Sequence, residues 1–207
     1  MKNSILTSGI FLFTALFSIS CNGDKSSTRE EIEDKTATEV PIQEEVDYLK
    51  KGKGIAMQTK GSLGKYLIAA LSTLGPEGAL GFCNTKAIPI TDSMAKELSA
   101  SIKRVSDKPR NPSNQAKESE LAYIKQCKEW KVKGEILKPK LMDIDGKMVG
   151  YYPIITNQMC MQCHGSKEKD INATTLANIN KLYPKDKATG YKTNEIRGLF
   201  VVGMNKK

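Results

Sequence analysis

Cys160-Met161-Gln162-Cys163-His164 sets two thiols three residues apart, with an imidazole directly after the second. At that spacing two cysteines add to the two vinyl groups of haem as thioethers, and the next residue supplies an axial nitrogen to the iron. The 207-residue chain holds five Cys and one His, and its only His is the one in this string. Cys160 and Cys163 are therefore the expected attachment points of one covalent haem c, with His164 as an iron ligand. Two other chemistries compete for a Cys-x-x-Cys pair. A thioredoxin-like redox pair needs a βαβ context that the preceding residues do not supply. A zinc site built from Cys83, Cys127, Cys160 and Cys163 lacks Cys-x-x-Cys spacing in its other half. A zinc- or thiol-based protein, as structural metal site or thiol–disulfide oxidoreductase, is thus the alternative.

The second axial position has no His to fill it. Read from the residues alone, the candidates are Cys83, Cys127, Met57, Met94, Met142, Met148, Met159 and Met204, or an open site. Met161 lies inside the attachment segment and cannot reach the far face. Cys83 has small neighbours in Gly78, Ala79 and Gly81, which let a flat macrocycle come close to a helix. Cys127 sits among Leu121, Ile124 and Trp130, where a buried free Cys is ordinary core material. Haem propionates need cations or hydrogen-bond donors, for which Arg104, Arg110 and Arg197 are the candidates; the competing role for each is surface charge or a bidentate loop contact. Tyr152 and Tyr191 are candidate wall residues of the pocket. A haem enzyme such as a peroxidase needs a distal acid–base pair, and no second His exists to provide one, so an enzyme is not expected.

The elements that must position these groups read as α+β. Leu63, Leu67, Ala70, Leu71 and Leu74 recur at three–four spacing, which predicts an amphipathic helix reaching back toward Val46. Gly75-Pro76 ends it, and Pro76 suits the first turn of a second helix that carries Ala79, Phe82 and Cys83. Pro89 is expected to stop or kink that helix, with Thr91-Asp92 capping a short one through Leu98. Residues 101–106 alternate as a strand. Pro109 and Pro112 exclude regular structure between 108 and 114. A helix is expected over 118–130. Strand-like runs at 135–142 and 148–155 flank Asp145-Gly146, a hairpin signal. Residues 156–197, the Cys-x-x-Cys-His segment included, read as loop, and 198–204 as a last buried strand. The sum is a small antiparallel sheet with an N-terminal helix and flanking helices.

The ends of the chain add a location. Met1-Lys2-Asn3-Ser4, the apolar run 5–17 and Ser18-Ile19-Ser20 before Cys21 have the form of a secretory signal over residues 1–20. About 13 residues are too few to span a bilayer comfortably. A Cys after the small residue resembles a bacterial lipoprotein signal, which implies lipidation at Cys21 and attachment to a membrane surface on the periplasmic side. Residues 21–46, with eight acids and three bases, read as an acidic flexible tether, leaving 47–207 as the domain. The whole chain carries +9; without Lys2 and the tether about +13 remains on the domain. An exported location, 6% aromatics and scattered lysines argue against nucleic acid. The basic surface reads as solvated, with anionic headgroups or an acidic redox or signalling partner as its counterpart.

Residues from about 63 to 207 are similar to a bacterial periplasmic haem c domain family of PAS-like fold. The family occurs as stand-alone exported proteins and as the input module of some histidine kinases and chemoreceptors. The resemblance rests on Cys83, on 104–114 (RVSDKPRNPSN), on Tyr152-Pro153-Ile154, on 160–165, on Tyr183-Pro184-Lys185-Asp186 with Ala188 and Gly190-Tyr191, and on Arg197-Gly198. Ala116 and Lys117 stand where the family usually has Pro and Asp, and Asn194 where Gly is usual. The resemblance implies His164 and Cys83 as axial ligands. A thiolate ligand would favour ferric iron and a low potential. Sensing of redox state or of a gas, or electron transfer, are the functions it implies. No kinase or methyl-accepting region follows in this chain, so a signal would pass to a separate partner.

Overall fold

The computed structural model describes residues 41–206. The expected signal segment, Cys21 and residues 21–40 of the expected tether lie outside the described residues. The last five tether residues belong instead to helix α1, Ile42–Glu97, in which Glu44 and Glu45 favour the positive end of the helix dipole.

Within α1 the backbone is non-helical at Gly75, with φ 67° and ψ −178°. That region is open essentially to glycine alone. Two helical segments therefore meet there, as the Gly-Pro pair predicts, and Pro76 opens the second. Pro89 does not stop that segment, contrary to expectation, and Thr91 does not cap a new one. Its hydroxyl donates back to the Ala87 carbonyl at 2.8 Å, inside a continuing helix.

Strand β1, Ser101–Val105, leads into the Pro-rich stretch. There Asn111 Oδ1 accepts from the Ser113 N–H, and Pro112–Asn114 forms a 3₁₀ turn. Ser106 N–H donates to Asn114 O at 2.9 Å, and Ala116 N–H to Ser106 O at 3.0 Å. The loop is thus stitched to the end of β1. Helix α2, Glu118–Lys133, starts where the Glu120 carboxylate accepts from the Lys117 N–H. It ends at Gly134, in the left-handed conformation. Strands β2, Lys140–Ile144, and β3, Lys147–Ile155, form the hairpin. Asp145 and Gly146 have φ 52° and 72°, the pair of positive values that a tight two-residue turn requires.

The segment expected as loop contains two helices. A 3₁₀ turn, Gln158–Cys160, runs into the single helical turn α3, Met161–His164. Helix α4, Ala173–Leu182, follows, its first turn capped by Asn172 Oδ1 accepting from Thr175 N–H at 2.7 Å. Strand β4, Ile196–Asn205, closes the fold. Asn194, at the usual Gly position, holds φ 66°, a value Asn tolerates better than most residues.

The strands lie in the order β1-β4-β3-β2, all antiparallel. Side chains alternate faces along each strand. Ile102, Met148, Tyr152, Phe200, Val202 and Met204 meet Tyr48, Ile55 and Ala56 of α1. Val105, Tyr151, Leu199 and Val201 meet Tyr123, Ile124 and Cys127 of α2. Full burial of each large apolar side chain contributes about 1.5–3 kcal/mol. A third cluster, Leu80, Ile171 and Ile179, joins the second segment of α1 to α4. The architecture is the α+β, PAS-like arrangement expected.

Candidate functional site

A cavity of about 370 Å³ lies between α1, the β1–β4 end of the sheet and the segment around α3. Its size is in the range of small-molecule sites. Leu63, Leu67 and Leu71 from the first segment of α1 line it, as do Cys83 and Ala87 from the second. The repeat that betrays the helix is thus also a cavity wall, leaving Leu74 exposed. Arg104 and Phe200, paired across β1 and β4, face the cavity from the sheet. Gly198 sits beside them because a Cβ there would lie 2.2 Å from the Val105 carbonyl oxygen.

Cys160, Cys163 and His164 all line this cavity. Asn157 Oδ1 accepts from the Cys160 N–H at 3.3 Å and fixes the turn that presents the first thiol. Both cysteines are free thiols, as is Cys83. His164 Nδ1 lies 2.7 Å from the Ala188 carbonyl oxygen. A carbonyl only accepts, so Nδ1 carries the proton and Nε2 holds the lone pair. The Tyr191 N–H donates to His164 O at 2.9 Å, and the two rings meet edge-on. Burial pushes the His164 imidazole well below its ordinary pKa, with Arg110 and Arg197 acting in the same direction and the Ala188 contact opposing. The neutral ring, the form that binds metals, is thereby favoured.

The three arginines line the cavity but differ in commitment. Arg110 is buried, and the loop around His164 holds one edge of its guanidinium. Its Nε donates to Asp186 Oδ1 at 3.1 Å, and its Nη2 to Asp186 Oδ2, the Cys163 carbonyl and the Ala188 carbonyl. Its Nε and Nη2 edge is turned to the loop that holds His164. Arg197 donates through Nη1 to Ser106 Oγ at 2.8 Å and to Lys108 O at 3.2 Å. Arg104 makes one long contact, Nη2 to Ala87 O at 3.4 Å. It is the cation with most donors to spare. Burial raises the Cys83 thiol pKa, and Arg104 and Arg110 pull it back. Cys163 is raised by burial too, against Arg110.

Other candidates fall away by position. Tyr152 is not a wall residue: its ring is enclosed between Gly52, Gly150 and Met204, and its hydroxyl donates to Leu49 O at 3.2 Å. Tyr191 stands behind His164 rather than in the cavity wall. Cys127 is fully buried on the α2 side of the sheet, which leaves the four-thiol zinc set unassembled. Among the described residues no three His, Cys, Asp or Glu side chains gather as a metal-holding group. Of the candidate axial ligands, Cys83 and Met159 reach the cavity. Met148 and Met204 are core, and Met57 is exposed. Sequence reasoning missed Lys60, Asn84 and Tyr183, which also line the cavity.

The residues present fit a covalently held porphyrin. Two thiols at vinyl spacing, an imidazole with its free nitrogen defined, a third thiol, apolar leucines for the ring and Arg104 with Lys60 for carboxylates share one cavity. No described helix is long and apolar enough to cross a membrane.

Comparison with known proteins agrees on the fold. The crystal structure of the cyanobacterial haem protein Tll0287 superposes with a TM-score of 0.56 at 17% identity, covering 81% of this chain and 98% of that one. No curated protein matches the chain. The Tll0287-like description matches residues 23–205, spanning the cavity, both thiols, the imidazole and every strand, and the chain belongs to the Tll0287-like family.

Proposed function

We propose that the chain is a c-type haem redox protein, with haem held by thioethers at Cys160 and Cys163 and by His164. The observation that carries this reading is the meeting of those three side chains with Cys83 and Arg104 in one cavity. Membership of a family whose solved relative is described as a haem protein supports it. Bound haem supplies a one-electron Fe(III)/Fe(II) couple. Cys83 would supply a second iron ligand, Arg104 would pair with a haem carboxylate, and Leu63, Leu67 and Leu71 would shield the ring from water, all five lining the same cavity. The protein acts in electron transfer or in redox or gas sensing, is exported, and is tethered through a lipidated Cys21 at the periplasmic face of a membrane.

Maturation of the full chain with a cytochrome c assembly system tests the reading. Mass spectrometry is expected to place one porphyrin on the Cys160–Cys163 peptide; a bare or zinc-loaded peptide would overturn it. Carbon monoxide added to the ferrous protein then tests gas sensing. Binding supports that role, and its absence over hours leaves electron transfer or redox sensing.

A further inference from the structure

We infer that Arg110 and Asp186 are positioning residues that hold the imidazole of His164 through the Ala188 carbonyl. The inference deepens the haem reading and rests on it. Asp186 Oδ1 accepts from Arg110 Nε and from the Ala188 N–H at 2.9 Å, so one carboxylate oxygen ties the guanidinium to the peptide that serves the histidine. Arg110 Nη2 turns to the carbonyl of Cys163, the residue before His164, and to the Ala188 carbonyl that meets the ring, at 3.5 Å. The side chains of the pair are 9% and 7% exposed, so water competes little for these contacts. Two backbone bonds and one from a lysine side chain complete the frame. Lys187 N–H donates to Pro109 O at 3.0 Å, Gly190 N–H to Gly165 O at 2.8 Å, and Lys108 Nζ to Thr189 O at 2.8 Å.

Two distant sequence elements, 109–114 and 183–191, are thus joined by this one buried ion pair at the carbonyl that sets the tautomer of His164. An Nδ1–H held by an acceptor makes the opposite nitrogen a more basic, better directed ligand, and loss of such partners costs about 10–100-fold in ligand function. Planarity matters as well. A guanidinium serves carboxylate and carbonyls together, and a lysine ammonium does not.

The test uses the full matured chain with Arg110→Lys, which keeps the charge and removes the fork, and Asp186→Asn, which keeps an acceptor for the Ala188 N–H. Porphyrin mass on the 160–163 peptide is read first. Its absence from the wild type defeats the haem reading, whereas its presence leaves the positioning role to be decided by the variants. Proton exchange of the His164 Nδ1–H, followed by NMR, is expected to quicken in Arg110→Lys, with the midpoint potential shifted upward. Asp186→Asn is expected to move both readouts the same way. Exchange and potential at wild-type values in either folded variant would overturn the role. A third variant, Arg110→Met, separates geometry from field. Loss of a nearby positive charge lowers the potential and loss of the anchor raises it, so this variant is read by exchange, and a wild-type exchange rate in it would also overturn the role.

Discussion

A ligand must lie where the iron can reach it, and at the residue scale that criterion reduces eight second-ligand candidates to two. Cys83 and Met159 line the cavity, whereas Cys127 has no exposed surface and packs with Tyr123 on the far side of the sheet. Thiolate ligation gives a split or red-shifted ferric absorption band. That band is expected to vanish in Cys83→Ala and to persist in Cys127→Ala and Met159→Ala, with porphyrin still attached in all three. Persistence in Cys83→Ala would assign the position elsewhere. The Cys160–Cys163 pair and the imidazole beside it were legible as one candidate group because they lie within five residues. The role of Arg110 was not. Its partners Asp186, Ala188 and Cys163 are all more than fifty positions away in the chain. Charge alone cannot tell which edge of a guanidinium a distant loop already holds.

Elements with a strong local signal stood out, and elements defined by tertiary contact did not. The Asp145-Gly146 turn and the Gly75-Pro76 break are written in residues that few other backbones would use. Helix α4 is ten residues long and acquires its reason only from Leu80 of α1, which its Ile179 packs against, and from Glu77, which accepts the Thr175 hydroxyl at 3.1 Å. Pro89 misled because a helix with buried contacts on either side outweighs one lost backbone bond. Gly52 is a hidden signal of the same kind, since it reads as a weakness in α1 but is where the helix meets the sheet. A Cβ there would lie 2.1 Å from Tyr152 Oη and 2.9 Å from its Cζ. Gly52→Ala should therefore destabilise the fold by about 1–3 kcal/mol, as overpacking does. Tyr152→Phe alone should cost about 1 kcal/mol for the lost bond to Leu49 O. In the Phe background the closest clash is gone, so the Gly52→Ala cost should shrink by at least about 0.5 kcal/mol. Urea unfolding of the four proteins measures the cycle, and strict additivity would show that helix and ring do not meet as described.

Across the whole molecule, stability is divided between two unlike bodies of contact on either side of the cavity. The sheet is covered on both faces by the large clusters under α1 and α2. The start of the second segment of α1, α3 and α4 rest on Leu80, Ile171 and Ile179, with a few half-buried neighbours, and on the polar frame around Arg110, while Met94 and Ala95 at the segment's end pack on the sheet cluster. In a folded protein, opening free energies run from near zero at such lightly packed parts up to the global value in the core. A ligand that touches both bodies stabilises the state in which they are joined. Amide exchange should therefore separate the two in full chain produced without haem assembly. Residues 76–90 and 161–191 should exchange by local opening, while β3 and β4 keep the global protection. Maturation should raise the first group toward the second and leave the sheet nearly unchanged. The sheet gives the reference within the same molecule, so a general loss of stability in the unmatured chain would slow or quicken both groups together. Equal protection in both before maturation would mean that the cavity wall is as firmly built as the core and that the bound group contributes chemistry without contributing structure.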